Sequence, residues 1–299
     1  MGKQTGWLVY NGALNSAKFN EIHEWYRQTA KRKNLALELV ANQELLSVIE
    51  NGQAVVKWDK RIPYPDFILF LDKDIRLARQ LERQGFRLFN RADAVAACDD
   101  KIATFQRLAG KGIRMPKTIF SPLMYEGTKE KNTSFIDLVE QELSYPIIIK
   151  EAYGSFGEQV YLVRNREELA ARRNELLYLP HLYQEFIESS FGRDCRIHVV
   201  GSKVVAAMMR VSETDFRANV TNGGVMRPFQ PPADFCELAI AASEQIGAEF
   251  SGVDLLFGQE GEPVLCEVNS NAHIKNIYDC TGIDVTEAIF DHIIQAVGK

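Results

Sequence analysis

Three oxygen-bearing side chains near the end of the chain offer the clearest chemistry: Asp254, Glu267 and Asn269. Asp254 interrupts the apolar run 251–257, while Glu267 and Asn269 flank Val268 at the end of a second run beginning at Pro263. Side chains of a strand alternate between faces, so Glu267 and Asn269 share one face. Gly258-Gln259-Glu260-Gly261 joins the two runs, which predicts a β-hairpin that brings Asp254 towards the level of Glu267, with the register open. Hard oxygen donors suit Mg²⁺, which takes one or two carboxylates and leaves other positions to water and substrate phosphates. A hairpin with one polar face in water would carry the same residues. Here, however, the acids interrupt strands that read as buried, and a buried carboxylate needs a partner or a metal. The metal reading therefore leads.

Two lysines point to the anion such a metal would accompany. Lys101 falls in the first turn of a helix that Asp99 or Asp100 can cap, with Ile102, Phe105, Leu108 and Ala109 as its apolar stripe. A cation at the positive end of a helix is electrostatically misplaced, so it is either solvated or faces an anion such as phosphate. Lys150 ends the buried strand 145–150, followed by Ala152-Tyr153-Gly154-Ser155-Phe156-Gly157 and a returning strand at 159–163. Gly154 and Gly157 would let backbone approach a phosphate that Lys150 neutralises. A plain hairpin turn is the alternative, and no Walker sequence is present. Further on, Arg193, Arg196, Arg210 and Arg217 punctuate an otherwise apolar region, with Arg217-Ala218-Asn219 leading into Gly223-Gly224. A solvated face explains most such arginines; Arg210 resists it because it ends the apolar strand 204–209.

The elements that must position these groups are legible in order. Strands at 7–10, 35–40 and 67–71 alternate with helices at about 19–31 and 74–84, which predicts a parallel, Rossmann-like sheet over residues 1–97. No Gly-x-Gly-x-x-Gly follows the first strand, so a dinucleotide site is disfavoured there. An amphipathic helix is expected at 134–143, strand-like sequence at 182–188, a hairpin about Gly201-Ser202, and helices at 238–246 and 284–296.

Composition fits an ordinary globular protein: 46% hydrophobic and 25% charged residues exclude a disordered chain. A net charge of −5 disfavours nucleic acid as the main partner. No apolar stretch reaches the roughly 20 residues of a membrane helix, and no signal-peptide core opens the chain. Five scattered cysteines without a Cys-x-x-Cys pair suggest neither a disulfide framework nor a zinc site, so a cytoplasmic location is expected.

Taken in order, these motifs resemble the ATP-grasp superfamily, most closely its RimK-type α-L-glutamate ligases and related carboxylate–amine ligases. The resemblance runs over roughly residues 98–299. It is carried by Asp100-Lys101 with Gly112-Ile113 and Pro116, by Ile149-Lys150 with Gly154 and Gly157, and by Gln184-Glu185-Phe186-Ile187. Arg210, the stretch 215–219, Gly223-Gly224, Gly252-Val253-Asp254 and Glu267-Val268-Asn269 complete it. The fold it implies is α/β, with a Rossmann-like N-terminal domain (1–97) followed by a two-lobed ATP-grasp part of α+β character (98–188 and 189–299).

The resemblance also implies roles. Lys101 and Lys150 would hold phosphates under a lid formed by Gly154 and Gly157. Glu185, Phe186 and Ile187 would hold adenine, and Asp194 the ribose. Asp254, Glu267 and Asn269 would bind Mg²⁺, with Mn²⁺ as a substitute. Arg210, helped by Arg217 and Asn219, would stabilise the transferring phosphoryl group. The reaction implied joins an amino acid or other carboxylate to the amine of a small molecule, peptide or protein terminus through an acyl phosphate, releasing ADP and phosphate. Homo-oligomers are a family expectation, with neither nucleic acid nor membrane as partner. A small-molecule kinase and a non-catalytic nucleotide-binding module are the alternatives. One departure stands out: where RimK-type ligases continue Glu-Val-Asn with a small residue and Ser-Pro-Gly, this chain has Ser270-Asn271-Ala272-His273-Ile274-Lys275-Asn276. His273 there is read as a solvent-facing loop histidine, with substrate contact or a general base as the sharper role.

Overall fold

A computed structural model describes residues 3–127, 134–155, 157–220 and 223–298. Phe156, placed by the sequence in the glycine turn, lies outside the described residues.

The chain begins with β1 (Thr5–Tyr10), α1 (Ala17–Arg32), β2 (Ala36–Ala41), β3 (Leu46–Glu50), β4 (Gln53–Lys57), β5 (Phe67–Phe70), α2 (Ile75–Arg83) and β6 (Leu88–Phe89). Four of these strands form a sheet in the order β2-β1-β5-β6, with every pairing parallel. All four residues of β5 are buried, as a central strand covered on both faces requires. The antiparallel pair β3 and β4, which the sequence did not signal, stands apart from this sheet. Its apolar residues are sparse and partly exposed, Leu46 at 63% and Ile49 at 67%, so no clean alternation marks it.

The middle of the chain contributes α3 (Ala92–Asp99), α4 (Lys101–Leu108), β7 (Thr118–Phe120), α5 (Ser134–Glu142), β8 (Ile147–Glu151), β9 (Val160–Val163), α6 (Arg166–Glu175) and β10 (His181–Glu185). Asp100 caps α4, its Oδ1 accepting from the amides of Ile102 and Ala103 at 2.9 and 3.2 Å. The strands form an antiparallel sheet ordered β7-β10-β8-β9. Helix α6 escaped the sequence reading because it buries little besides Leu169 and Arg173.

The last part comprises β11 (Arg193–Val200), β12 (Lys203–Val211), β13 (Val225–Pro228), α7 (Ala233–Ile246), β14 (Phe250–Phe257), β15 (Pro263–Asn269), α8 (Ile274–Thr281) and α9 (Val285–Val297). Its antiparallel sheet runs β13-β12-β11-β14-β15. Helix α8 occupies part of the divergent segment expected to be loop. Only Ile274 and Ile277 are buried on it, too short a stripe to announce a helix.

The first and last sheets share one core. Leu8, Phe67 and Leu69 pack in the same cluster as Met208, Phe250 and Phe290. Asn90, fully buried, joins them by hydrogen bonds: its Nδ2 donates to the carbonyls of Phe250 and Ser270 at 2.8 and 2.9 Å. Its Oδ1 accepts from the amides of Glu249 and Phe250. This seam sets the carboxyl ends of β1 and β5 facing the loop after β15, where Asn271 Nδ2 donates to the Leu71 carbonyl at 2.8 Å. Open parallel sheets bind ligands at that end of their strands.

Candidate active site

Paired strands fix the carboxylate cluster. Asp254 of β14 lies opposite Glu267 of β15, and Gly252 opposite Asn269, with a register shift immediately after Asp254. The hairpin expected from sequence thus places all three oxygen donors together. Asn269 Nδ2 donates to Glu267 Oε1 at 3.1 Å and to the Gly252 carbonyl at 3.3 Å. No side chain fits at Gly252, because a Cβ there would stand 2.4 Å from that of Ala272.

Asp254 is 1% exposed, and its charge is answered by two guanidinium groups. Arg196 donates to it in a fork, Nε to Oδ1 at 2.6 Å and Nη2 to Oδ2 at 2.7 Å. Arg210 Nη2 donates to Oδ2 at 2.7 Å and forks onto Asp194 at 2.6 and 2.8 Å. Burial alone would raise the Asp254 carboxyl, but the charges of Arg196 and Arg210 outweigh it and hold the group below the ordinary carboxylate range. Arg210 is buried too; burial opposes its charge, and Asp194 with Asp254 raises its affinity for the proton well above the usual value.

Arg210, singled out because it ends an apolar strand, is therefore paired with Asp194 and Asp254. Asp194, expected near a ribose, forms the other half of that clamp. Arg196 matters more than its mention among four arginines suggested: it also comes within 3.8 Å of Glu267 Oε1. Its position on β11, opposite Asp254 of β14, is a pairing fact that sequence alone does not carry.

The phosphate-type residues assemble nearby. Lys101 and Lys150 are both buried. Lys101 Nζ donates to the Gly154 carbonyl at 3.2 Å, and Lys150 Nζ lies 3.7 Å from Cys266 Sγ. Burial lowers the Lys101 ammonium, and the charge of Glu267 partly opposes this. The glycine turn is held from three directions. Besides Lys101, Arg217 Nη1 donates to the Gly157 carbonyl at 2.8 Å while forking onto Asp215. Lys73, which the sequence reading missed, places Nζ 3.3 Å from Ser155 Oγ and 2.5 Å from Asp99 Oδ1.

At the strand β10 edge, Glu185 Oε1 accepts from the Lys117 amide at 2.8 Å. That carboxylate is committed to its neighbouring strand, leaving Phe186 and Ile187 to continue along the cavity. His273 is half-buried, its ring 5.8 Å from that of Phe19. Burial lowers its pKa to about 4, with Lys18 and Arg196 acting in the same direction. It faces the cavity, a correction to the solvent-facing expectation.

One cavity of about 680 Å³ unites these groups. Its walls include Lys101, Lys150, Gly154, Gly157, Glu185, Phe186, Ile187, Asp194, Arg210, Arg217, Asn219, Asp254, Glu267 and Asn269. Helix α1 and the carboxyl ends of β1 and β5 add a wall that the sequence did not indicate, through Tyr10, Asn11, His23, Asp72 and Lys73. Glu267 and Asn269 keep oxygens for a hard divalent cation, with Asp254 shared with Arg196 and Arg210, beside lysines able to take phosphate. No helix is long and apolar enough to cross a membrane among the described residues.

Residues 98–293 match the model of the RimK-like ATP-grasp domain. The chain is 32% identical over 282 residues to human N-acetylaspartylglutamate synthase A, covering 90% of this chain and 70% of that one. It is 36% identical over 267 residues to mouse beta-citrylglutamate synthase B, covering 88% of this chain and 65% of the relative. Thus it spans about two thirds of that relative's length. A solved structure of a RimK domain ATP-grasp protein from Sphaerobacter thermophilus superposes with a TM-score of 0.70 at 18% identity, over 97% of this chain and 99% of that one.

Proposed function

This chain belongs to the RimK-like ATP-grasp family of ATP-dependent ligases, and we propose that it joins a carboxylate to the amine of an amino acid through an acyl phosphate. The observation that carries the reading is the shared cavity: facing Asp254 and Glu267 on one wall, with Lys101, Lys150 and the glycine turn on another. The names of the relatives make glutamate the first amine to try, with N-acetylaspartate and citrate as acids.

A carboxylate resists attack by an amine because it is anionic and would have to expel oxide. In the proposed reaction a carboxylate oxygen attacks the γ-phosphorus of ATP and ADP leaves. The amine then attacks the acyl carbon, the carbon–oxygen bond to phosphate breaks, and the amine loses a proton. Lys101 and Lys150 supply fixed positive charge to phosphate oxygens, which stabilises the transferring group. Lys101 would exchange the Gly154 carbonyl for a phosphate oxygen. Backbone at Glu185, Phe186 and Ile187 would hold the base.

Asp254, Glu267 and Asn269 would hold Mg²⁺, or Mn²⁺ in its place, and the ion would draw charge from the phosphates. Arg210 acts in two ways in this reading: it orients Asp254, and it keeps a cation near the transferring phosphoryl group. Asp194 fixes Arg210 while remaining at the cavity wall for a ribose hydroxyl. Arg217, which donates to the Gly157 carbonyl, and Asn219 would help Arg210 steady the transferring group. The three segments 1–97, 98–188 and 189–299 would act as separate lobes about the cavity, and self-association in a cytoplasmic setting accompanies the reading.

The test uses acid labelled with ¹⁸O in its carboxylate, incubated with L-glutamate, Mg²⁺ and ATP. ADP release that requires both acid and amine, with one label transferred to phosphate, is expected. AMP with pyrophosphate, or a stable phosphorylated alcohol, would sink the ligase reading.

A further inference from the structure

The cavity contains one buried carboxylate that the proposed chemistry does not use. Asp72 follows β5 at the carboxyl end of the parallel sheet and is 6% exposed. Its Oδ1 accepts from the Lys73 amide at 2.7 Å and from Asn11 Nδ2 at 3.2 Å. Its Oδ2 is buried and has no hydrogen-bond partner among the described residues. The adjacent Lys73 does not neutralise it, since that ammonium is turned to Asp99 and Ser155. Lys18, also on the cavity wall, is exposed and forms no ion pair with Asp72 among the described residues.

A buried carboxylate with an unpaired oxygen is costly unless a cation or donor meets it. Burial pushes the Asp72 carboxyl up, against the hydrogen bonds from Lys73 and Asn11. The protein retains this group at a ligand-sized cavity, opposite the loop that Asn271 ties to Leu71. Metal binding does not explain it, because the other acids of the cavity are those of the Asp254 and Glu267 hairpin or are already bonded: Asp99 to Lys73, Asp194 to Arg210 and Glu185 to the Lys117 amide.

We propose that Asp72 receives the ammonium group of an amino-acid substrate, Oδ2 accepting a charge-assisted hydrogen bond while Oδ1 stays fixed by Lys73 and Asn11. The inference rests on the ligase reading only for the presence of an amino group among the substrates. Such a bond to a charged donor corresponds to about ten- to hundredfold in affinity.

The test is calorimetric, with L-glutamate and glutarate as probes, which share a carbon skeleton and differ in the amino group. Both are titrated into the full chain with Mg²⁺ and a non-hydrolysable ATP analogue. The native protein should bind L-glutamate about ten- to hundredfold more tightly than glutarate. Asp72→Asn keeps an oxygen for Lys73 and Asn11 but sets an NH₂ against the ammonium, so the preference should vanish. Asp72→Ser gives the same reading should the asparagine variant fail to fold. A native protein without the preference, or a variant that keeps it, overturns the proposal. In turnover with citrate, Asp72→Asn should raise KM for L-glutamate and leave KM for ATP unchanged. An unchanged KM for L-glutamate in that variant counts against the proposal. Binding preference without any ADP release would fail the ligase reading while leaving Asp72 as an ammonium site.

Discussion

Asp254 lies directly across the β14–β15 ladder from Glu267, yet both of its oxygens are already held by Arg196 and Arg210. The cluster is thus charge-balanced before any ligand enters. Glu267 is less committed: its side chain is 29% exposed and its Oε1 accepts from Asn269. Replacing Glu267 with Gln removes one negative charge where Mg²⁺ is proposed. Removing a partner of a metal ligand costs about 10- to 100-fold, so loss of a direct ligand should lower turnover by more than about 100-fold. Circular dichroism should show the fold intact. Normal activity at ordinary Mg²⁺ concentrations would show that the hairpin holds no metal.

Arg210 joins two buried carboxylates, so its removal leaves both Asp194 and Asp254 short of a partner. Arg210→Ala should cost about 3–5 kcal/mol of stability, read from denaturant unfolding. Lysine should not restore it, because an ammonium cannot fork onto Asp194 and reach Asp254 together. A fully stable lysine variant would show that charge alone matters.

The glycine turn is anchored by Lys73, Lys101 and Arg217, each using a group that nucleotide would compete for or cover. Gly154 permits the close turn: a Cβ there would stand 2.5 Å from Gln159 Oε1. Amide exchange in residues 153–159 should slow on adding Mg²⁺-ATP, as a lid ordered by ligand requires. Lys73→Ala should raise exchange there and increase KM for ATP severalfold. Exchange unaffected by nucleotide would rule out a cover role.

His273 has a pKa of about 4 in the fold, set mainly by burial. An unfolded histidine titrates near 6.5. The unfolded chain therefore binds the extra proton between these values, so the contribution is complete above about pH 6.5 and is lost as pH falls towards 4. His273→Asn should reduce the stability loss over that interval by about 3 kcal/mol. Parallel stability profiles for the two proteins would contradict the assignment.

Asn90 satisfies both ends of its amide in a fully buried seam between the first and last sheets. Asn90→Ala strands backbone groups of Phe250 and Ser270 and should cost about 3 kcal/mol in thermal or urea unfolding.

Residue pattern alone determined much of this protein. The apolar runs around Asp254 and Glu267, joined by a glycine-bearing turn, gave the hairpin. Asp100 before an apolar helical stripe gave the capped α4 with Lys101 in its first turn. The alternation of strands and helices gave a parallel first sheet. Such features are local, set by side-chain periodicity, capping and backbone freedom over a few residues. Elements with weak periodicity, such as α6, α8 and the β3–β4 pair, stayed hidden because packing rather than pattern stabilises them.

Tertiary structure decided the rest. The register that sets Asp254 opposite Glu267 depends on a shift between strands, and the clamp of Arg196, Arg210 and Asp194 on pairing across β11, β12 and β14. Lys73 reaches the lid, and Asp72 the cavity, only because Asn90 and a shared apolar core press the first sheet against the last. Charges tens of residues apart in sequence leave no local trace of their proximity. Burial then sets their chemistry: the same carboxyl is held ionised at Asp254 by two arginines and is pushed up at Asp72, where no cation among the described residues answers it.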